Sequence, residues 1–160
     1  MSGPLGSQQW MYSTGFYPYE IGQSLRFNND DTAYLNRTPA SAGNRRTWTW
    51  SGWVKRGNVN ADKAVFTARN GASDFFYIAF ASSDVLIVND VSSGVDRTQL
   101  VTSAKYRDVS AWYHIVVAMD STQATSTDRI KLWINGSQVT SFTTNTYCAQ
   151  NFDGLVNSTN

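Results

Sequence analysis

Apolar and polar residues alternate in short runs along most of the chain, and turn-forming residues separate these runs at close spacing. Alternation with a period of two predicts strands with one buried face, and no stretch keeps the 3.6-residue apolar period of a helix. The chain is therefore predicted to be all-β and to form an antiparallel β-sandwich. Strands are predicted at residues 24–27, 33–35, 47–56, 63–69, 75–81, 85–88, 98–101, 111–119, 129–134 and 138–142.

Two Asn-Gly pairs predict hairpin turns, because both residues of such a pair adopt the positive φ of a tight turn at low cost. Asn70-Gly71 separates two alternating runs, and Asn135-Gly136 separates another two. The stretch 143–160 is rich in turn residues, and no strand is predicted in it. The alternation also predicts a core that includes Trp50, Val54, Phe66, Ile78, Ile115, Val117, Leu132 and Ile134.

The first 22 residues lack both periods and are predicted to form an irregular arm ahead of one domain at residues 23–160. The arm carries five large aromatic side chains that are predicted to bind a partner, either another protein or a second copy of the chain. Packing of the arm on its own domain is the other interpretation that the residues allow. The five are Trp10, Tyr12, Phe16, Tyr17 and Tyr19.

Composition and charge argue against two classes of function, nucleic-acid binding and membrane insertion. Charged residues make up only 16% of the chain, with a net charge of +1 and no basic cluster larger than Arg45-Arg46, so nucleic-acid binding is not expected. No apolar run approaches the length of a spanning helix, so membrane insertion is not expected either. The start of the chain lacks the pattern of a signal peptide, and the single cysteine, Cys148, excludes an intrachain disulfide.

Three segments in this order resemble the laminin-G-like, concanavalin-A-like jelly-roll family. They are SLRFNNDDTAYLNRTP at 24–39, RRTWTWSGWVKR at 45–56 and AWYHIVVAMDSTQATSTDRIKLWINGSQV at 111–139. In this long form the chain is similar to copies of the domain on structural proteins of tailed phages, notably marine ones, and the resemblance spans roughly residues 22–157. The resemblance implies a jelly roll that normally continues past the segment 151–159 into further strands. The chain is therefore expected to lack its last strands and to expose an unpaired sheet edge.

The resemblance implies two functions of different classes. The first is a structural or adhesion module of the phage particle, as a tail fibre or a related tail or capsid protein, which contacts other virion proteins or copies of itself. The alternative is a lectin-like module that binds glycans of the host cell surface. An enzyme is not expected, because glycosidases use two carboxyl groups flanking the bond and the only glutamate, Glu20, lies in the arm. No cofactor is expected other than a calcium ion.

Three tryptophans on one predicted strand are candidates for binding a sugar. Trp48 and Trp50 share one face of a predicted strand, and Trp53 falls on the other face unless Gly52 marks a bulge. The resemblance places this strand centrally, where tryptophans fill the core, with sugar stacking by Trp48 and Trp53 as the alternative.

The polar residues considered as candidate functional residues are one histidine and three aspartates. His114, the only histidine, is predicted to be structural and hydrogen-bonded across its sheet. The acidic turn with Asp30 and Asp31 offers oxygen ligands for calcium, and Asp153 is a weaker candidate. Asparagine and aspartate are also common in turns because their side chains hydrogen-bond to the nearby backbone. The acidic segment is therefore interpreted either as a calcium site or as an ordinary turn.

Overall fold

The structure, a computed structural model, describes residues 34–159. The chain divides into two compact units, Met1–Arg37 and Thr38–Asn160, and all of the regular structure described belongs to the second. Nine strands and a single 3-10 turn at Ser126–Asp128 make up this unit. The strands are β1 Thr47–Lys55, β2 Lys63–Asn70, β3 Asp74–Phe80, β4 Val85–Ser92, β5 Val95–Lys105, β6 Trp112–Asp120, β7 Ile130–Ile134, β8 Ser137–Gln138 and β9 Phe142–Thr146.

The strands form two antiparallel sheets that pack as a sandwich. One has four strands in the order β1-β6-β7-β8, and the other has five in the order β2-β3-β4-β5-β9. The predicted all-β, antiparallel sandwich is confirmed. The sequence produces it because in most of the longer strands every second side chain is apolar and faces the other sheet.

The core between the sheets contains the residues that alternation predicted. Four of the eight predicted core residues are buried, and the other four are half-buried and pack against the same cluster. None of the eight is mostly exposed, so the register assumed for these strands is confirmed. The buried four are Ile78, Ile115, Val117 and Leu132, and the half-buried four are Trp50, Val54, Phe66 and Ile134.

Both predicted hairpins are present, and one of them has the predicted Asn-Gly turn. Asn135 and Gly136 have φ values of 51° and 81°, the left-handed pair that lets β7 turn directly into β8. In the other hairpin Gly71 has a φ of 77°, but Asn70 belongs to β2 and pairs with Asp74, so the turn consists of residues 71–73 instead of the Asn-Gly pair.

Other predictions need correction. β4 and β5 are longer than predicted, and β9 lies partly inside the stretch 143–160, for which no strand was predicted. β9 is largely polar, with the sequence FTTNT, and it forms because the edge of β5 supplies the backbone hydrogen bonds. Residues 34 and 35 are not in a strand. The remaining residues of the two predicted strands at 24–27 and 33–35, and the whole predicted arm, lie outside the described residues.

Asp84 is a buried charge that joins several elements at one end of the sandwich. Its carboxylate is 3.1 Å from Arg56 Nη2 and 3.0 Å from Arg107 Nε, and it accepts a hydrogen bond from the backbone N–H of Asn60 at 2.8 Å. Arg56 is buried as well and lies over the ring of Phe80. The ends of β1 and β5 and the turn before β4 are therefore tied to one carboxylate.

Asp90 is a second buried aspartate and lies between the sheets. It occupies an inward position of β4, opposite Phe76 and Thr98, and is 1% exposed. Its Oδ2 accepts a hydrogen bond from the backbone N–H of Leu155. A side chain at Gly154 would place its Cβ 2.8 Å from that oxygen, so the C-terminal segment needs glycine to approach Asp90 this closely.

Candidate functional site

The most exposed aromatic side chains of the sandwich lie on the outer face of the four-stranded sheet. β1 pairs with β6 without a bulge over nine residues, from Thr47 opposite Asp120 to Lys55 opposite Trp112. Trp53 and Trp112 therefore point to the same outward face, where they are 65% and 57% exposed. Gly52 marks no bulge, so Trp53 lies on the opposite face from the half-buried Trp48 and Trp50, as the alternation predicted.

His114 supports Trp53 from the neighbouring strand. The two rings stack at 4.8 Å with an interplanar angle of 26°, and His114 Nε2 lies 3.0 Å from Ser51 Oγ. The backbone N–H of His114 donates to Asn135 Oδ1 at 2.8 Å, which ties β6 to the Asn-Gly turn. The predicted hydrogen bond of His114 across the sheet is confirmed, and its imidazole also stacks on the exposed indole of Trp53.

We call the surface formed by Ser51, Trp53, Lys55, Trp112 and His114 the tryptophan face. Trp53 and Trp112 are diagonal neighbours on adjacent strands, a spacing of roughly 7–8 Å that is within reach of large side chains. The face offers two flat apolar rings bordered by a hydroxyl, an imidazole and an ammonium group. Such a surface can stack on a sugar ring or pack against apolar groups of another protein.

The two tryptophans predicted as sugar-binding residues are not brought together. Trp48 faces the core and meets Phe76 edge-on at 5.3 Å, whereas Trp53 is on the surface. Sequence reasoning named Trp53 but missed its partner Trp112. The signal that places Trp112 outward is its spacing of two from His114, a residue predicted in the middle of the same strand.

The other predicted site residues are either outside the described part of the chain or already engaged. Asp30 and Asp31, the calcium candidates, and the five arm aromatics lie outside it. Asp153 accepts two hydrogen bonds from Arg46, at 2.8 and 3.0 Å, which lowers the pKa of its carboxyl. Its oxygens are thus already used in a bidentate ion pair.

A shallow groove of about 280 Å³ lies on the opposite surface of the sandwich, along β2 and β3 of the five-stranded sheet. Phe75 and Tyr77 stack there at 5.9 Å with an angle of 23°, and Arg69 lies over the Phe75 ring. The sequence analysis did not single out this groove. It is lined by Ala64, Thr67, Arg69, Phe75, Phe76 and Tyr77.

Across residues 34–159 no group of three or more His, Cys, Asp and Glu side chains is placed to hold a metal ion. Over the same range no helix is long and apolar enough to cross a membrane.

Comparison with known proteins returns one match. The family model Laminin_G_3, described as the concanavalin A-like lectin/glucanases superfamily, matches residues 27–157. No curated protein and no solved structure matches the chain. The matched range includes every strand of both sheets and therefore the residues of the tryptophan face.

Proposed function

Because the chain belongs to the concanavalin A-like lectin/glucanases superfamily, we propose that it is a non-catalytic adhesion module that makes protein–protein contacts within the particle of a tailed phage, in its tail. The family is compatible with an adhesion or carbohydrate-binding role. The phage setting is supported by the three sequence segments that resemble copies on phage structural proteins. The observation that carries the proposal is the exposure of Trp53 and Trp112 side by side on one sheet face.

Exposed tryptophans at this density favour a docking function. A tryptophan side chain has roughly 150–250 Å² to bury, and tryptophan is among the residues that dominate the energy of protein interfaces. Within residues 34–159, Trp53 also lies on the end strand of its sheet, β1. The stacked His114 holds this indole in place, so less side-chain entropy is lost on binding.

The non-catalytic part of the proposal is supported by the state of the aspartates. A general acid has to be protonated near neutral pH and within reach of substrate. The carboxyl whose pKa is raised, Asp90, lies between the sheets. Four other aspartates among the described residues have a shifted pKa. Hydrogen bonds lower it in each of them, so these carboxyl groups stay ionised: Asp84, Asp108, Asp120 and Asp153.

The proposal includes neither nucleic-acid binding nor membrane insertion. The absence of nucleic-acid binding is supported by the contacts of Arg45 and Arg46, the densest basic pair of the chain. Arg45 Nε donates to the backbone oxygen of Gly154 at 2.6 Å, and Arg46 pairs with Asp153. Both guanidinium groups hold the C-terminal segment, which leaves less of their hydrogen-bonding capacity for phosphates.

The double variant Trp53→Ala and Trp112→Ala tests the adhesion function. Loss of two central tryptophans from an interface costs at least about 2 kcal/mol, so incorporation of the full chain into phage particles is expected to fall more than ten-fold. Both side chains are on the surface, and the melting temperature is expected to stay close to that of the wild type. Incorporation is measured by immunoblotting of purified particles.

The matched control replaces Val95, which is exposed on β5 of the five-stranded sheet, with alanine. Its incorporation is expected to equal that of the wild type. If the tryptophan double variant is incorporated as well as the wild type, the tryptophan face does not take part in adhesion.

Glycan binding is the second candidate, and the groove of the five-stranded sheet is the observation that favours it. Stacked aromatic rings beside a guanidinium and a threonine hydroxyl offer a flat apolar surface with polar groups at its rim. If the module is a lectin, Tyr77→Ala is expected to weaken binding to glycans of the host surface by about ten-fold, on a glycan panel or by calorimetry. If Tyr77→Ala still binds the glycan and the tryptophan double variant does not, the glycan binds at the tryptophan face and not in the groove.

A further inference from the structure

Residues 152–158 cover the carboxyl group of Asp90, and we call them the covering segment. The backbone N–H of Leu155 donates to Asp90 Oδ2 at 3.3 Å, and a Cβ atom at Gly154 would lie 2.8 Å from the same oxygen. The side chains of Leu155 and Val156 are buried and belong to the hydrophobic core. The covering segment therefore helps to keep the Asp90 carboxyl away from water.

The covering segment contains no strand, and two side chains that precede β1 hold it in place. Arg45 donates to the backbone oxygens of Asp153 and Gly154, at 3.2 and 2.6 Å. Arg46 forms an ion pair with the carboxylate of Asp153, and both side chains are about half exposed. Exposed ion pairs and single hydrogen bonds each contribute little to stability, so a segment held in this way can open locally while the strands stay folded.

The groups around Asp90 compensate little for its burial. Burial is the main reason why the pKa of Asp90 is raised to about 6, and the negative charge of Asp74 on β3 adds to the effect. The N–H from the covering segment and the positive charge of Arg45 oppose it. Thr98, opposite on β5, has no charge, and the thiol of Cys148 stays neutral because burial raises its pKa as well. The closed segment therefore favours the protonated form of the Asp90 carboxyl.

We propose that the covering segment is a pH-dependent latch, which is closed over the protonated carboxyl of Asp90 and opens more often when that carboxyl is ionised. Opening lets water reach the carboxylate, and it exposes Leu155 and Val156 together with the part of the core beneath them. The molecule then presents an apolar surface that is covered at lower pH. This equilibrium goes beyond the adhesion function and does not rest on it, since neither Trp53 nor Trp112 takes part.

The direction of the effect follows from proton binding. The pKa of Asp90 is about 6 in the closed form, whereas an aspartate in contact with water has a pKa of about 3.9. Between these values the open form binds fewer protons than the closed form, so opening is favoured as the pH rises through this window. With these two pKa values, the population of the open form is expected to grow about ten-fold between pH 5 and pH 7.

Amide hydrogen exchange followed by NMR tests the latch in the full chain. Each measured rate is compared with the intrinsic rate at the same pH, which gives a protection factor. Protection of the Leu155 amide is expected to fall about ten-fold between pH 5 and pH 7. Protection of the Val117 amide, in β6 between β1 and β7, is expected to be higher and to fall when a little urea is added. Protection of Leu155 is expected to change little with urea, because local opening exposes little surface.

Two variants separate the charge of Asp90 from the contacts that close the segment. Asp90→Asn cannot ionise, so its Leu155 amide is expected to have the same protection at pH 5 and pH 7. Asp153→Asn loses the ion pair with Arg46, which lowers the pKa of Asp153 and keeps it ionised at both pH values. Its Leu155 protection is expected to be lower than that of the wild type by a similar factor at both, and the ten-fold fall between them is expected to remain.

A disulfide that holds the segment closed gives the converse test. The backbone N–H of Gly43 donates to the backbone oxygen of Asn157 at 2.9 Å, and a Cβ atom at Gly43 would lie 3.2 Å from Cβ of Asn157. Disulfides need a separation of roughly 3.5–4.5 Å, so Gly43→Cys with Asn157→Cys is expected to form one on oxidation. The Leu155 amide is then expected to keep at pH 7 the protection that it has at pH 5, and reduction is expected to restore the fall.

Three results would overturn the latch. The first is Leu155 protection that does not fall between pH 5 and pH 7, and the second is a fall of the same size in Asp90→Asn. The third is equal protection and equal urea dependence for Leu155 and Val117, because the covering segment would then leave only when the whole sandwich unfolds. None of these measurements involves the tryptophan face, so adhesion stands or falls on the incorporation experiment alone.

Discussion

Replacing Asp84 with alanine is expected to lower the free energy of unfolding by about 3–5 kcal/mol, measured by denaturant titration at neutral pH. The carboxylate is the counter-ion of Arg56, whose side chain is only 2% exposed. Without it a guanidinium remains buried over the Phe80 ring, and the backbone N–H of Asn60 loses its acceptor. The same contacts, the Asn60 N–H first and then Arg107 and Arg56, lower the pKa of Asp84 against the effect of burial.

Asp62→Ala is the matched control. Asp62 also accepts a backbone hydrogen bond, from Ser82 at 2.7 Å, but no arginine or lysine forms an ion pair with it among residues 34–159. Its replacement is expected to cost no more than about 1.5 kcal/mol. A second variant, Asp84→Ala with Arg56→Met, removes both charges and is expected to recover much of the loss. Equal stability of Asp84→Ala and the wild type would show that Arg56 does not depend on this carboxylate.

Alternation along the strands predicted the class of fold because it is a local property. In β1 and β6 every second residue faces the core, so the sequence alone assigns Trp50 inward and Trp53 outward once the strand is recognised. The Asn-Gly turns are local as well, since the positive φ of Gly136 depends on two residues only. Features of this kind need no knowledge of the neighbouring strands.

Contacts between residues far apart in the sequence were beyond such reasoning. β9 has no alternation of its own strong enough to predict a strand, and it forms on the edge of β5, some forty residues earlier. The pairing of Asp84 with Arg56 depends on how two loops meet at one end of the sandwich. The position of Trp112 beside Trp53 depends on the register between β1 and β6, which the local pattern does not specify.

The burial of Asp90 could not be predicted either, and it has an expected consequence for stability. Alternation would place a core residue at this position, yet a carboxyl occupies it under the C-terminal segment. Burial raises its pKa to about 6, and the nearby charge of Asp74 adds to the effect, while the N–H of Leu155 and the charge of Arg45 oppose it. In the unfolded chain an aspartate has a pKa of about 3.9.

The sign of the effect follows from proton binding. Between about pH 4 and pH 6 the folded state holds a proton on Asp90 that the unfolded state releases, so this group makes the protein less stable as pH rises through that window. Once Asp90 is ionised in both states, the loss reaches about 3 kcal/mol, from roughly two pKa units at about 1.4 kcal/mol each. Asp90→Asn keeps the shape and an acceptor for Leu155 without the charge.

Asp90→Asn is therefore expected to be as stable as the wild type near pH 4 and more stable by up to about 3 kcal/mol above pH 6.5, in denaturant titrations at several pH values. The difference between the two proteins isolates Asp90 from the other aspartates, which are common to both. Asp153→Asn is the control of opposite sign: Arg46 lowers the pKa of Asp153, so this variant loses stability relative to the wild type as pH rises and Asp153 ionises. A difference between Asp90→Asn and the wild type that stays constant from pH 4 to pH 7 would mean that the carboxyl of Asp90 ionises in the folded state as easily as in water.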